Sequence, residues 1–234
     1  MCLSCILSGC SGEDNATARG NSIFIDEVPE DNFYIGMDPF LDYLIIVNED
    51  NEYLFGNPYN LLLSNDLIYV SDVYGEPTPV EKGTYLAFSM LQQKLRKEGI
   101  DIGLYSGYRT KEDQQVVYDY YSNLEGWSEN NKVFEPGFSE HHTGLLLSIV
   151  IWSEDEAGNT NWLTETPERQ AKHPEFKIVH KSLADYGFID RYPAGKEDIT
   201  GVPYEPYEIR FVGSSKIAHE IMDNGMCLEE YLKN

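Results

Sequence analysis

The chain has few basic residues and no long apolar run. It carries 17 Lys and Arg against 40 Asp and Glu, which gives a formal net charge of −23. Such a charge repels phosphate backbones and anionic lipid headgroups, so it argues against nucleic acid as a partner. The longest apolar run beyond the amino terminus covers 145–152 and is interrupted by Ser148. That run is far below the ~20 residues of a membrane-spanning helix.

Cysteine is also scarce, and its placement does not imply a disulfide framework. Three of the four cysteines lie within the first ten residues, and Cys227 stands alone near the other end. Residues 7–10 read Leu-Ser-Gly-Cys and resemble the lipobox of bacterial lipoproteins, in which the cysteine is lipidated. Small and polar residues follow at 11–22, as in a flexible tether.

We therefore expect 1–22 to be a truncated lipoprotein signal and tether. Cys10 would then anchor the protein to the outer face of the cytoplasmic membrane, at the bacterial cell surface. The alternative is a disordered tail with incidental cysteines, because the matching pattern is short.

The length of 234 residues and 41% apolar content suit one globular domain with some irregular extension. Apolar spacing and stop signals predict helices at 81–97, 110–121, 175–186 and 214–224. Alternating or apolar runs predict strands at 43–47, 100–105, 145–152, 188–192 and 206–212. Helices and short strands are mixed without regular alternation, so the sequence predicts an α+β fold. We expect a wrapping segment at 23–79 and the main domain at 80–234.

Two polar turns beside predicted strands are the candidate functional positions. His141 lies in a glycine-bounded turn that enters an apolar strand, and imidazole is a common metal ligand. Its neighbour His142 is expected to point away, because adjacent strand residues face opposite sides. Arg109 lies where a predicted strand turns into a helix, and its forked donors suit a carboxylate. An ordinary ion pair is the alternative role for Arg109.

Three stretches together resemble a known family. They are Ser-Gly-Tyr-Arg-Thr at 106–110, Ser-Glu-His-His-Thr-Gly at 139–144, and Tyr-Gly-Phe-Ile-Asp-Arg-Tyr-Pro at 186–193, followed by Glu-Pro-Tyr-Glu at 205–208. In order and spacing they resemble the VanY-type D-alanyl-D-alanine carboxypeptidases, over about 85–232. The resemblance implies a small central antiparallel sheet flanked by helices. It also implies a zinc enzyme that trims terminal D-alanine from peptidoglycan stem peptides.

The resemblance also assigns roles to individual residues. It makes His141 the first zinc ligand and Glu205 the general base. The second and third ligands are aspartate and histidine in the family, but this chain has Ser148 and Glu208 at those positions. The residues that match the family's contacts to the substrate's terminal carboxylate are Arg109, Gln114 and Ser139.

The two replacements make catalysis doubtful on chemical grounds. A catalytic zinc needs three protein ligands and an open position for water, and the hydroxyl of Ser148 brings no charge. Glu208 could bind through oxygen, or it could pair with a protonated His141. We therefore expect zinc to bind weakly or not at all. The protein would then recognise D-alanyl ends without efficient hydrolysis, or have a purely structural role. The alternative is an active metal-dependent D,D-carboxypeptidase with an altered ligand set.

Overall fold

A computed structural model describes residues 41–56, 66–123, 132–154, 158–163 and 172–233. The predicted signal and tether at 1–22 lie outside these ranges. Among the helices within them, none is long and apolar enough to cross a membrane.

The fold is α+β, as the sequence predicts. The strands are β1 (Leu67–Ser71), β2 (Pro77–Glu81), β3 (Asp101–Ser106), β4 (Leu146–Glu154), β5 (Thr160–Trp162), β6 (Phe188–Tyr192) and β7 (Glu205–Phe211). The helices are α1 (Lys82–Lys97), α2 (Lys111–Ser122), α3 (Pro174–Leu183), α4 (Glu197–Thr200), α5 (Ser215–Met222) and α6 (Leu228–Tyr231). Two 3-10 helices cover Glu140–Thr143 and Ala184–Tyr186.

The central sheet has five strands, and every neighbouring pair in it is antiparallel. Its order is β3-β4-β7-β6, with β5 pairing to β4, while β1 and β2 form a separate hairpin. Strands β4 and β7 therefore lie in the interior of the sheet. Their buried positions explain why residues 145–151 read as a nearly continuous apolar run.

Local signals in the sequence set the helix ends. The carboxylate of Glu81 accepts hydrogen bonds from the first amides of α1, and Gly99 follows its last turn with a φ of 81°. Thr110 and Asp113 form a reciprocal capping box at the start of α2. That box satisfies amides that the helix itself leaves without partners. It fixes the direction of α2 directly after the turn that carries Arg109.

Two apolar clusters cover the sheet. Buried side chains of α1 and α3 pack with those of β3, β4 and β7 in the main core. Helices α5 and α6 pack with Ile189 and Val212 in a second, smaller cluster. Full burial of each large aliphatic or aromatic side chain contributes about 1.5–3 kcal/mol. The sheet is thereby a rigid base for the polar residues at the ends of its strands.

The prediction of a strand at 43–47 is wrong. Among the residues that the structure describes, this segment pairs with no strand; the carbonyl oxygens of Tyr43 and Ile45 instead accept hydrogen bonds from the guanidinium of Arg210. An arginine side chain thus takes the place of a neighbouring strand. Apolar alternation cannot distinguish these two ways of satisfying an extended backbone.

Arg210 belongs to a buried ion network that the sequence did not reveal. Glu140 accepts from Arg191 Nε at 2.7 Å and lies 3.4 Å from Arg210 Nη1. Arg191 also makes two bonds with the carboxylate of Glu229, at 2.6 and 3.1 Å. All four side chains are buried. The network ties the 3-10 helix Glu140–Thr143 to β6, β7 and α6.

This network generates a stability prediction. Glu140→Gln should lower the free energy of unfolding by about 3–5 kcal/mol, because two buried guanidinium groups lose their shared carboxylate. The measurement is urea denaturation followed by circular dichroism. As a control, Glu98→Gln removes one carboxylate of the exposed pair that Glu98 forms with Lys94. That change should be worth no more than about 1 kcal/mol. Equal losses in the two variants would contradict a structural role for the network.

Candidate active site

The candidate site lies where three neighbouring strands of the sheet carry polar side chains at the same level. Ser148 of β4 is paired in register with Ser106 of β3 on one side and with Glu208 of β7 on the other. The strands on both sides of β4 are irregular near this level: the register shifts between Leu104 and Ser106 in β3, and the pairing of β7 with β6 shifts between Asp190 and Tyr192. Such bulges re-aim side chains at the ends of strands. The row of Ser106, Ser148 and Glu208 forms one part of the site.

His141 enters the site from the 3-10 helix, not from a strand. The hydroxyl of Ser139 caps this helix, and Gly144 ends it with a φ of 69°, a left-handed conformation that glycine adopts readily. His141 Nδ1 lies 2.6 Å from the carbonyl oxygen of Gly107. A carbonyl only accepts, so Nδ1 carries the proton and Nε2 presents its lone pair to the site.

His141 and Glu208 lie within ion-pair distance of each other but are not hydrogen-bonded. Burial, followed by the charge of Arg109, lowers the pKa of His141 well below its usual value. His141 Nε2 and Glu208 Oε2 are 3.9 Å apart, which is too long for a hydrogen bond. Burial and the nearby guanidinium both disfavour the imidazolium that a charged pair with Glu208 needs.

Glu208 has one occupied and one open carboxylate oxygen. The hydroxyl of Ser148 donates to Oε1 at 2.7 Å, while Oε2 is buried and has no hydrogen-bond partner among the described residues. Burial raises the pKa of Glu208 to about 7, although the bond from Ser148 and the charge of Arg109 act in the opposite direction. The open oxygen faces His141 Nε2.

Glu205 lies close to Glu208 despite the odd spacing between them. Side chains three residues apart on a regular strand face opposite sides. Here Glu205 pairs with Tyr192 of β6, and Ile209 pairs with Asp190. The stretch of β7 between these two pairs is longer than the stretch of β6 opposite it, so β7 bulges there. Burial and then the charge of Glu208 raise the pKa of Glu205 well above its usual value, against a hydrogen bond with the Tyr207 side chain. The bulge thus brings two carboxylates into one site.

Arg109 and Gln114 form a second, linked part of the site. Arg109 Nη1 donates to Gln114 Oε1 at 2.8 Å, and Arg109 Nε donates to Ser106 Oγ at 3.3 Å. Gln114 in turn donates to the carbonyl oxygen of Phe134 at 2.7 Å. The charge of Arg109 acts on His141, Glu205 and Glu208. The predicted residues therefore gather in one place.

Ser139 and His142 have structural contacts. The Ser139 hydroxyl accepts from the His141 amide at 3.4 Å, so it positions the turn. His142 is fully buried; its Nδ1 lies 2.8 Å from the Arg109 carbonyl oxygen, and its Nε2 accepts from the Gly137 amide at 3.0 Å. His142 thus supports the backbone of Arg109 and points away from the site, as expected. The reason differs, because His142 lies on a 3-10 helix and not at the entry to a strand.

Several contributing residues were missed by sequence reasoning. Ser106 holds the Arg109 side chain, Gly107 orients His141, and Tyr207 bonds to Glu205. Gly107 also lies where a Cβ would come within 2.6 Å of the Pro79 carbonyl oxygen, so only glycine fits without a backbone shift. The glycine between a strand and Arg109 was the one signal available for this close approach.

The donor set does not fit the family's three-ligand zinc site. His141 Nε2 and Glu208 Oε2 are oriented as two ligands would be, but position 148 supplies a neutral hydroxyl that is already bonded to Glu208. Within the described ranges, no three His, Cys, Asp or Glu side chains are grouped to hold a metal ion. A tetrahedral zinc with three protein ligands is therefore not built from the residues present.

The chain is similar in sequence to a known family of carboxypeptidases. The family model for VanY, D-alanyl-D-alanine carboxypeptidase, matches residues 78–214. A D-alanyl-D-alanine carboxypeptidase of Enterococcus faecalis is 32% identical over 233 residues, covering 93% of this chain and 77% of the relative. The putative carboxypeptidase YodJ of Bacillus subtilis is 39% identical over 139 residues, covering 59% of this chain. The match spans 48% of the length of YodJ.

Solved structures agree in fold. The LdcB LD-carboxypeptidase superposes with a TM-score of 0.66 at 31% identity, covering 82% of this chain and 86% of LdcB. The vancomycin resistance D,D-pentapeptidase VanY, solved in complex with Zn(II), gives a TM-score of 0.62 at 28% identity and covers 81% of this chain and 98% of its own. The sequence motifs, the antiparallel sheet and these matches lead to one conclusion: the chain belongs to the VanY family of D-alanyl-D-alanine carboxypeptidases.

Proposed function

We propose that this protein recognises the D-alanyl ends of peptidoglycan stem peptides on a carboxypeptidase scaffold and hydrolyses them poorly or not at all. The observation that carries the proposal is the hydrogen bond from Ser148 to Glu208. Ser148 stands where the family has a metal ligand, and its neutral hydroxyl is already bonded to Glu208. On the proposed carboxylate-binding side, the guanidinium of Arg109 is held by Ser106 and Gln114.

The ligand class follows from Arg109 and from the relatives. A guanidinium held from two sides by Ser106 and Gln114 is preorganised, and a forked cation binds a carboxylate through charge-assisted hydrogen bonds. Similar proteins include a bifunctional D-Ala-D-Ala dipeptidase and carboxypeptidase of Enterococcus gallinarum, and VanYB solved in complex with D-alanine-D-alanine. These relatives support a peptide that ends in D-alanine.

One observation favours the alternative of an active metal enzyme. His141 Nδ1 is fixed by the Gly107 carbonyl, which is how many metal-binding histidines are oriented, and Nε2 then faces Glu208 Oε2 at 3.9 Å. Glu205 also remains in place as a candidate base. In this alternative His141 and Glu208 would hold zinc or another divalent ion with a third ligand from outside the family's set.

Location at the bacterial cell surface is part of the proposal. Its support is the lipobox-like residues 7–10 and the polar tether after them. In the native host, mass spectrometry of the membrane fraction should find a diacylglyceryl group on Cys10. A Cys10→Ser variant should move into the soluble fraction, whereas Cys5→Ser should stay with the membranes. An unmodified Cys10 in the mature protein would contradict the anchor.

Peptide binding depends on the fork of Arg109. Arg109→Ala should weaken binding of a muramyl pentapeptide by about tenfold or more, since hydrogen bonds to charged groups are worth about 1.5–3 kcal/mol. Isothermal titration calorimetry measures both affinities. Lys111→Ala, which removes a neighbouring exposed cation, is the matched control and should change the affinity little. Equal loss in both variants, or no binding by the unmutated protein, would overturn the proposed recognition.

Two substitutions together should restore zinc binding. Ser148→Asp with Glu208→His restores the family's ligand set beside His141, so zinc should bind about tenfold tighter or more than in the unmutated protein. Each substitution alone should do less, because the ligands act together. Zinc titration and D-alanine release from a pentapeptide are the two measurements.

The control for the rescue is Ser148→Asn with Glu208→Gln, which has similar shapes but lacks the new charge and the imidazole. This variant should bind no more zinc than the unmutated protein. Zinc-dependent carboxypeptidase activity in the unmutated protein would favour the alternative of an active metal enzyme. A folded Asp/His variant that ignores zinc would contradict the view that positions 148 and 208 alone account for the loss.

A further inference from the structure

The face of the sheet that carries the site extends along β4 to an exposed aromatic side chain. Ile149 and Ile151 face the main apolar core, so Ser148, Val150 and Trp152 point to the opposite side of the sheet. Ser148 belongs to the candidate site, Val150 is buried, and Trp152 is 36% exposed. The site and Trp152 therefore share one face of the sheet.

Trp152 forms an aromatic pair with Trp162 of β5. The two residues are paired in register, and their rings meet edge to face with centroids 5.2 Å apart. A Cβ on Gly103 would come within 2.9 Å of the Trp162 ring, so this ring lies against the backbone of β3. Gly103 is paired with Val150, which places the ring on the same face as the site. Contact with the main chain thus holds the tryptophan pair in a fixed orientation.

Charge restricts what can stack on the exposed indole of Trp152. A flat aromatic surface suits both nucleic acid bases and sugar rings, but the net charge of −23 repels a phosphate backbone. The exposed Glu154 lies two residues further along the same face of β4 and adds to this repulsion. A sugar ring has C–H groups on its faces, which suit an indole, and hydroxyls at its edges, which can donate to a carboxylate. These features favour an uncharged sugar ring.

The separation between the site and the tryptophan pair fits a ligand that carries both a peptide and a sugar. Ser148 and Trp152 are four residues apart on β4, which corresponds to about 13 Å. Four residues of an extended peptide span about the same distance. In a muramyl pentapeptide, four residues separate the sugar from the terminal D-alanine. A peptide that ends beside Ser148 and runs along β4 can therefore bring its sugar to Trp152.

We propose that the tryptophan pair, Trp152 and Trp162, binds the uncharged N-acetylated sugar rings of a peptidoglycan glycan strand. The lactyl carboxylate of the muramyl sugar is used in the amide bond to the peptide, so this sugar carries no charge. The position of the attached stem peptide rests on the proposed function. The stacking of the sugar on Trp152 does not, because it uses neither Arg109 nor the other residues of the site.

The first experiment uses a sugar without a peptide. A tetramer of N-acetylglucosamine, titrated by calorimetry, should bind to the unmutated protein, and Trp152→Ala should weaken this binding by about tenfold or more. Trp152→Tyr keeps an aromatic face and should retain most of the affinity, which separates stacking from a loss of folding. No binding by the unmutated protein, or equal affinities for it and Trp152→Ala, would overturn the proposal.

A matched control removes an exposed apolar side chain from the other side of the sheet. Ile178 is exposed on α3, a helix that packs against the face carrying Ile149 and Ile151. Ile178→Ala should leave the affinity for the sugar tetramer unchanged. A loss as large as that of Trp152→Ala would contradict a binding surface at the tryptophan pair.

The second experiment separates this inference from the proposed function. The muramyl pentapeptide should bind about fivefold tighter or more than the same pentapeptide without its sugar, and Trp152→Ala should remove this difference. If the two peptides bind equally tightly, the sugar surface falls and peptide recognition stands. If the sugar tetramer binds and the pentapeptide without sugar does not, peptide recognition falls and the sugar surface stands. If none of the three ligands binds, both proposals fall.

Discussion

The position of the site depends on a carboxylate that is not part of it. Glu140 lies next to His141 on the same short helix, and its side chain points into the interior, where it meets Arg191 and Arg210. Burial opposes the charge of Arg191, but Glu140, Tyr192 and Glu229 outweigh that effect and raise its pKa. A 3-10 helix of four residues has little stability of its own. The ion network therefore fixes this helix relative to β6 and β7.

Most of the fold could be predicted because its signals are local. The capping residues around α1 and α2, the left-handed Gly187 that ends the 3-10 helix Ala184–Tyr186, and the apolar strand after Gly144 all depend on a few neighbouring positions. The segment 43–47 was misread because its partner is an arginine far away in the chain, and no local pattern reports such a contact. The ion network was missed for the same reason, since buried and exposed charges look alike in a sequence.

The site itself was predicted through spacing and family resemblance. These identify which residues belong together, but not the state in which they meet. Burial and the charge of Arg109 lower the pKa of His141 against the opposing hydrogen bond with the Gly107 carbonyl, and only a three-dimensional arrangement provides these contacts. The approach of Glu205 to Glu208 likewise depends on a bulge in β7. On a regular strand, two residues three positions apart would face opposite sides of the sheet.

The supports of the site share a property that bears on how such a scaffold can diverge. His141 is oriented by the carbonyl of Gly107, Gln114 by that of Phe134, and His142 by that of Arg109. Main-chain acceptors persist whatever side chain their residue carries, so mutations at Phe134, for example, leave this contact available. These main-chain contacts therefore tolerate substitutions at the residues that provide them. Ser148 and Glu208, by contrast, contribute to the site through their side chains, so a substitution there changes the chemistry directly. A chain built in this way can exchange its chemistry and keep the geometry around it.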